Sequence, residues 1–397
     1  LPPPRIPRGV WVLGFVSMLM DISSEMIHAL LPVYLVTVLG ASTLTVGFIE
    51  GIAEATAMIV KVFSGALSDW MGKRKWLAAL GYGIAAVTKP VFPLATGLGW
   101  IVAARFIDRI GKGIRGAPRD ALIADITPAA VRGAAFGLRQ TLDTIGAFIG
   151  PLLAIALMAL FSDNFKFVFW IAVIPALLSA GLILFAVAEP RRDRPAEKSG
   201  PPLRLADLMR FSPRFWLVVA VAAVLTLARF SDAFLILRAQ NIGLPVTVVP
   251  VILVVMNMAY AAMAYPAGAL SDRIGRRGLL IAGTLMLIAA NAVLAYGGGV
   301  AGLMLGVVLW GLHMGLTQSL FAALVADNVP EQVRGTAFGL FNVAGGLALF
   351  AASVIAGALW DAHGPAATFI AGATFAALAL PGLLALAPRH RAAGRTG

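Results

Sequence analysis

Seven charged residues crowd one otherwise apolar stretch of this 397-residue chain: Arg105, Asp108, Arg109, Lys112, Arg115, Arg119 and Asp120. On a helix, positions 105, 108, 112, 115 and 119 share a face. A charge held at mid-membrane costs roughly 2.5–3.5 kcal/mol on the insertion scale. Seven facing lipid at depth would cost on the order of 20 kcal/mol, more than the ~5–15 kcal/mol that stabilises a whole domain. The stripe must face a cavity, a partner helix or an aqueous mouth. It can serve as a binding surface for a charged ligand, through Arg105, Asp108, Arg109 and Lys112. It can equally be an internal salt-bridge lattice, with Arg115, Arg119 and Asp120 as its structural members.

A second group is Asp21, Glu25 and His28, again on one helical face. A carboxylate inside a membrane is costly when charged, so it is suited to taking up and releasing a proton. These residues can also pair with the cations at 105–119, or bind a divalent metal. Metals usually want more ligands than three, and none of the three is a thiolate. Glu50, Glu54 and Lys61 follow, then Lys89, which snorkels or pairs locally. Glu50 and Glu54 read as an external gate or as partners of neighbouring helices. Arg139 and Asp143 come next, with Asp143 a further candidate for proton coupling. Later in the chain, Arg229 and Asp232 either bind a ligand or neutralise each other, and His313, Gln318 and Trp310 are weaker candidates.

The elements that must position these residues are membrane spans. The chain is 60% hydrophobic and 13% charged, whereas a soluble domain is about 45–50% apolar and about 25% charged. There is no cysteine, which removes disulfides, thiolate metal sites and thiol nucleophiles. Twelve apolar segments are long enough to span: 10–39, 45–68, 76–96, 98–124, 131–160, 166–188, 213–240, 246–270, 278–297, 300–325, 333–359 and 365–387. Backbone groups in hydrocarbon must bond internally, so these are helices. The run after Arg5 and Arg8 spans rather than acting as a cleaved leader. The net charge of +12 sits mostly in short loops, which reads as a topology signal and not as a nucleic-acid surface. It places both termini in the cytoplasm. A polar, Pro-rich linker at 189–212 separates a first bundle, 1–188, from a second, 213–397, and Leu203–Phe211 reads as a short surface helix.

The halves repeat each other. Gly65-Ala-Leu-Ser-Asp69-Trp-Met-Gly72-Lys73-Arg74 returns as Gly268-Ala-Leu-Ser-Asp272-Arg-Ile-Gly275-Arg276-Arg277, and Val131-Arg132-Gly133 returns as Val333-Arg334-Gly335. The seven charges do not return: their counterparts are Val307, Trp310, Gly311, Met314, Thr317, Phe321 and Ala322. The copied scaffold therefore does not require them. On these loops the sequence resembles the major facilitator superfamily over nearly its whole length. Arg105 with Gly111 and Gly113 resembles that family's fourth-span motif, and Gly146-Ala-Phe-Ile-Gly150-Pro151 resembles its antiporter motif, with Leu152-Leu153-Ala154 in place of the usual small residues. The resemblance implies an all-α membrane protein of two pseudo-symmetric six-helix bundles around a central site. It implies that Gly65, Asp69, Lys73 and Arg74, with Asp272 and Arg276, form latches between the bundles, paired with Arg132 and Arg334.

The reading is of a secondary transporter that exports a small polar or anionic organic molecule against protons, by alternating access. Its cargo residues are Asp21, Glu25, His28, Arg105, Asp108, Arg109, Lys112, Arg229 and Asp232; Asp21, Glu25 and Asp143 couple protons. Its partners are the substrate, protons and the lipid of a cell inner membrane; it is a monomer with no cofactor, no resident metal and no nucleic acid. No phosphate-binding Gly-x-x-x-x-Gly-Lys-Ser/Thr loop is present and no nucleophile–base pair stands out, so it is not an enzyme. The alternatives are an exporter of cationic or lipophilic drugs recognised by Asp21 and Glu25, a divalent-metal transporter using Asp21, Glu25 and His28, and a membrane sensor that moves nothing.

Overall fold

The computed structural model describes residues 6–71, 73–128, 131–189, 211–274, 276–329 and 334–386, with the side chains of residues 69, 265, 268–274, 276, 319, 322, 323, 326, 327, 334 and 335 excepted. The linker 190–210, most of the surface helix at 203–211 and the side chains of Asp69, Asp272, Arg276 and Arg334 lie outside the described residues.

Among the described residues there is no strand, and fifteen helices supply twelve spans. They are α1 (Arg8–His28), α2 (Leu31–Thr37), α3 (Thr43–Met71), α4 (Arg74–Thr88), α5 (Val91–Leu94), α6 (Leu98–Ile126), α7 (Arg132–Leu160) and α8 (Phe165–Ala186). After the linker come α9 (Pro213–Leu227), α10 (Ala233–Asn241), α11 (Val251–Ile274), α12 (Arg276–Tyr296), α13 (Gly299–Asp327), α14 (Arg334–His363) and α15 (Pro365–Ala385).

Three expected single spans are broken. Pro32 lacks the N–H that would bond the His28 carbonyl, and α1 gives way to α2 there. Pro90 does the same between α4 and α5, where the Lys89 N–H turns back to Ala86. The seventh span breaks between Leu227 and Ala233 without a proline. There the Ser231 N–H donates to the Ser353 hydroxyl of α14, and the Ala233 N–H to the Ser231 hydroxyl. Among the described residues, nine spans are long and apolar enough to cross a membrane by composition. The three that fall short are α3, α6 and the α9–α10 pair, which are the spans bearing most of the candidate site residues.

Packing repeats between the halves. In the first, α6 packs on α3 and α4, and α4 on α8; in the second, α13 packs on α11 and α12, and α12 on α15. The main contact between halves is α3 against α14. Gly47 lies so close to Ser353 that any Cβ would strike its carbonyl oxygen. A Cβ on Gly51 would come within 3.1 Å of the Phe350 oxygen, and one on Gly357 within 2.6 Å of the Leu44 Cα. Small residues let helices meet backbone to backbone where apolar burial gives no drive.

The end of this seam is closed by hydrogen bonds. The first amides of α3 have no partner within their own helix. Ser42 takes the Thr45 amide at 3.2 Å. The amides of Thr43 and Leu44 donate across the seam to the Asp361 carboxylate of α14, at 3.1 and 2.9 Å, and the Thr43 hydroxyl donates to it as well. A second crossing between the halves is made by the Thr247 hydroxyl, which donates to Asp163 at 2.6 Å. The bundle is thus fastened where α3 begins. Loss of a helix cap costs about 0.5–2 kcal/mol. Asp361→Ala is expected to lower stability by about that amount, measured by thermal unfolding in detergent; an unchanged transition would show that the seam does not depend on this cap.

Candidate functional site

The placement of the α6 charges follows from how α6 is held. Gly113 faces α3, where a Cβ would come within 2.7 Å of Val60; Gly111 faces α4, where a Cβ would meet the Gly81 oxygen at 2.7 Å. At about 100° per residue, these glycines leave an arc of about 200° uncovered, and Lys112 bisects it. Arg105 and Arg109 lie on the α3 side of that arc, and Asp108 and Arg115 on the α4 side. The expected single face is therefore a fan spread over two neighbours.

Each side finds its partners. Arg105 grips Glu50 of α3 with Nη2 at 2.6 Å and Nε at 3.1 Å, and Nη2 also donates to His28 Nδ1 at 2.8 Å. Arginine can only donate, so His28 Nδ1 accepts. Arg105 is 1% exposed and Glu50 0%. Arg109 pairs with Glu54 at 3.0 Å. On the other side, Asp108 accepts from Lys89 Nζ at 2.9 Å, and Lys89 also donates to the Ser24 hydroxyl at 3.0 Å. Lys89 is 1% exposed and points inward; it does not snorkel to an interface. Arg115 lies over the Tyr82 ring, 5.0 Å from its centroid, and stands 4.0 Å from Asp21.

A second cluster joins α6 to α1 and α7. Arg119 bonds Asp120 and the Ser17 hydroxyl, at 3.0 and 2.8 Å, and lies 3.9 Å from Asp143. Arg139 donates to Asp143 Oδ2 at 2.7 Å, while Asp143 Oδ1 is buried with no hydrogen-bond partner among the described residues. The glycines of the antiporter-like segment hold α7 against α1. A Cβ on Gly146 would come within 3.1 Å of the Asp21 Cβ, and one on Gly150 within 2.7 Å of the Glu25 Cβ.

Between the halves lies a cavity of about 380 Å³, lined by Asp21, Glu25, Lys61, Lys112, Arg115, Arg119 and Asp143 from the first half and by Asn257 and Tyr260 of α11. A chamber of about 220 Å³ adjoins it and shares Glu25, Glu54, Lys112 and Asn257; His28, Arg109 and Asp232 complete its ionisable lining. Arg105 and Asp108 line neither; they belong to the lattice behind them. Lys112 opens on both, and among the described residues no carboxylate lies within 4.0 Å of it. The same holds for Lys61, and no cation lies within 4.0 Å of Glu25. Asp21, Glu25 and His28 do not converge: among the described residues no three such side chains could hold one metal ion. Arg229 lines a third chamber, of about 160 Å³.

The latch loops are described in part. A Cβ on Gly65 would meet Ala117 of α6 at ordinary contact, Lys73 precedes α4, and Arg74 pairs with Asp125 at 2.9 Å and donates to the Ala121 carbonyl. Arg132 donates to the Ala124 carbonyl, since α7 starts just after α6 ends. The cavity residues that sequence reasoning missed are uncharged, among them Gln140 and Thr144 of α7, Asn257 and Tyr260 of α11, and Met58.

In the second half the scaffold is kept and the charges are replaced. Gly315 meets α11 as Gly113 meets α3, with Met263 Cβ within 2.7 Å of a Cβ placed on it. His313 stands where α6 has Gly111, and its Nδ1 lies 2.8 Å from the Gly283 carbonyl, so it fills the interhelical gap. Trp310, fully buried, stands where α6 has Asp108.

Twelve spans around a polar interior cavity, lined from both halves, define a multi-pass membrane protein of the transporter type. The family model of the Major Facilitator Superfamily matches residues 13–237 and 231–397, and the chain belongs to that superfamily of membrane transporters. It is 34% identical to the uncharacterized MFS-type transporter MJ1317 of Methanocaldococcus jannaschii, over 96% of this chain and 95% of that one. It is 29% identical to the multidrug resistance protein MdtH of Photorhabdus laumondii, over 41% of this chain and 39% of that one. Among solved structures, the nucleoside transporter NupG superposes with a TM-score of 0.81 at 15% identity, covering 96% of this chain and all of that one; this likeness is one of fold.

Removing one member of a buried ion pair costs about 3–5 kcal/mol, while replacing both with apolar groups is often neutral. Glu50→Leu alone is expected to lower thermal stability by that order, and Glu50→Leu with Arg105→Met to recover most of it. Equal losses in the two variants would show that the pair is not what holds α3 to α6.

Proposed function

We propose that this protein is a proton-coupled secondary transporter that exports a small polar organic anion or zwitterion from the cell by alternating access. The observation that carries the reading is Lys112, a cation at the junction of two chambers with no carboxylate within 4.0 Å among the described residues. Its α6 neighbours are already neutralised, so it is the α6 charge left to meet a ligand. An anionic group of the cargo takes Lys112, and Glu25, which also lines both chambers, faces any cationic group.

Asp21, Glu25 and Asp143 are the proton-coupling groups. Asp21 stands at the limit of an ion pair with Arg115, so protonation frees that arginine at little cost. Asp143 has an unpartnered oxygen that can take a proton without breaking its bond to Arg139. Because Gly146 and Gly150 put α7 against these positions, a charge change on α1 is felt at once by both helices. In this reading 1–188 and 213–397 rock as two bundles joined by 189–212, in an inner membrane and as a monomer, with both termini in the cytoplasm. The Asp361 seam closes the outer end, and the loops at Gly65–Arg74 and Gly268–Arg277 fasten the opposite end in the other state. The likeness to MdtH and the antiporter-like glycines support export. A second reading, export of cationic drugs, is favoured by Glu25, which has no cation within 4.0 Å among the described residues.

A charge-assisted hydrogen bond contributes about 1.5–3 kcal/mol, so its loss weakens binding roughly ten- to a hundredfold. In a thermal-shift screen of purified protein, a small, highly polar organic phosphate, carboxylate or zwitterion, with no ring or branched apolar group, is expected to stabilise the wild type. Lys112→Ala should lose that effect at unchanged basal stability. In vesicles carrying a pH dye, the stabilising compound should drive proton movement that Asp21→Asn or Glu25→Gln abolishes. Stabilisation by lipophilic cations alone, lost in Glu25→Gln and kept in Lys112→Ala, would replace the anion reading with the cation one.

A further inference from the structure

Arg229 differs from five arginines of the first half. Arg105, Arg109, Arg115, Arg119 and Arg139 each have a carboxylate within 4.0 Å. Arg229 has none, and no hydrogen bond, among the described residues. Asp232 is three residues on, but the chain is not helical between Leu227 and Ala233, and Asp232 opens on the neighbouring chamber with Glu25 and Lys112. No carboxylate of the described residues, Asp232 and Glu54 included, lies within 4.0 Å of Arg229. The scaffold does not need this cation: at the repeat offset of 202 its counterpart is Ile27, a buried apolar residue.

Arg229 lines the chamber of about 160 Å³, beside Thr226, Gln318, Phe321, Phe341 and Leu349. The other polar groups there are already used. Thr226 donates to the Ala222 carbonyl, Thr317 to the His313 carbonyl, and His313 meets the Gly283 carbonyl. The Arg229 fork and the exposed Gln318 amide are left free to face a ligand. A cation without a counter-ion in an apolar enclosure is costly. A planar guanidinium matches a carboxylate through two parallel hydrogen bonds. The apolar walls, and a volume close to the ~150 Å³ that houses a benzene ring in a soluble protein, fit a ring or branched chain behind that carboxylate.

We infer that this chamber, built on Arg229 in the second half, is a second anion site that takes a carboxylate attached to an aromatic or branched apolar group. The inference deepens the transport reading by giving the cargo a foothold apart from Lys112, and it is tested separately. The full chain in detergent is titrated with benzoate, with benzamide and acetate as controls lacking the charge and the ring. Benzoate is expected to raise the melting temperature saturably, and the two controls to have little effect. Arg229→Gln should weaken binding at least tenfold, Arg229→Lys should restore only part of it, and Lys112→Ala should leave it intact. Should Arg229→Gln not fold, Gln318→Leu is the second variant, with weakened benzoate binding expected. No stabilisation by benzoate, equal stabilisation by benzamide, or loss in Lys112→Ala with retention in the Arg229 and Gln318 variants would each overturn the inference. Normal transport by Lys112→Ala alongside Arg229-dependent benzoate binding would sink the Lys112 reading and leave this one standing.

Discussion

A charge inside a bilayer must meet an opposite charge or water, and the first half of this protein is arranged around that requirement. Helix α6 is its axis. Arg105 and Arg109 turn to the carboxylates of α3, and Asp108 turns to Lys89 at the end of α4. Arg119 turns to Asp120 and the hydroxyl of α1. Ion pairs of this kind add little net stability over apolar packing, yet they punish mispairing severely. Their effect is to fix which helices touch and in what register.

The second half shows the same backbone solution without the charges. Gly315 makes the approach that Gly113 makes, while Trp310 and His313 fill space that ion pairs and glycine occupy in the first half. One half is thus electrostatically rigid and the other is held by shape. The cavity lies between them, so a mobile ligand meets fixed charge on one wall and mostly uncharged groups such as Asn257 and Tyr260 on the other. Charges already paired are unavailable to it, and the groups left over among the described residues, Lys61, Lys112, Glu25 and Arg229 among them, stand at chamber walls.

Much of the fold was legible because spans announce themselves by length and apolarity, and because the repeated loops at Gly65 and Gly268 reveal duplication. The charged stripe on α6 was legible as a stripe, since helical periodicity gives a residue's own direction. Which neighbour it meets was not, because periodicity says nothing of where α3 and α4 stand. Lys89 is an example: it pairs, as one of its two readings expects, but with a partner nineteen positions away on another helix. The break at Arg229 has no proline to mark it, and it depends on Ser353, more than a hundred residues distant. Asp361 reads as an ordinary polar residue at a span's end until the start of α3 is seen beneath it.

The lattice also constrains how the chain enters its membrane. Helices α3 and α6 are not apolar enough, by composition, to count as independent spans. Glu50 and Glu54 leave the ribosome about fifty residues before Arg105 and Arg109 exist to neutralise them, and Lys89 precedes Asp108. Inserted one by one, each of these segments would carry uncompensated charge into hydrocarbon. Only when α3, α4 and α6 are side by side are these charges compensated. Together, two charge-bearing helices and the apolar α4 make one lipid-compatible body.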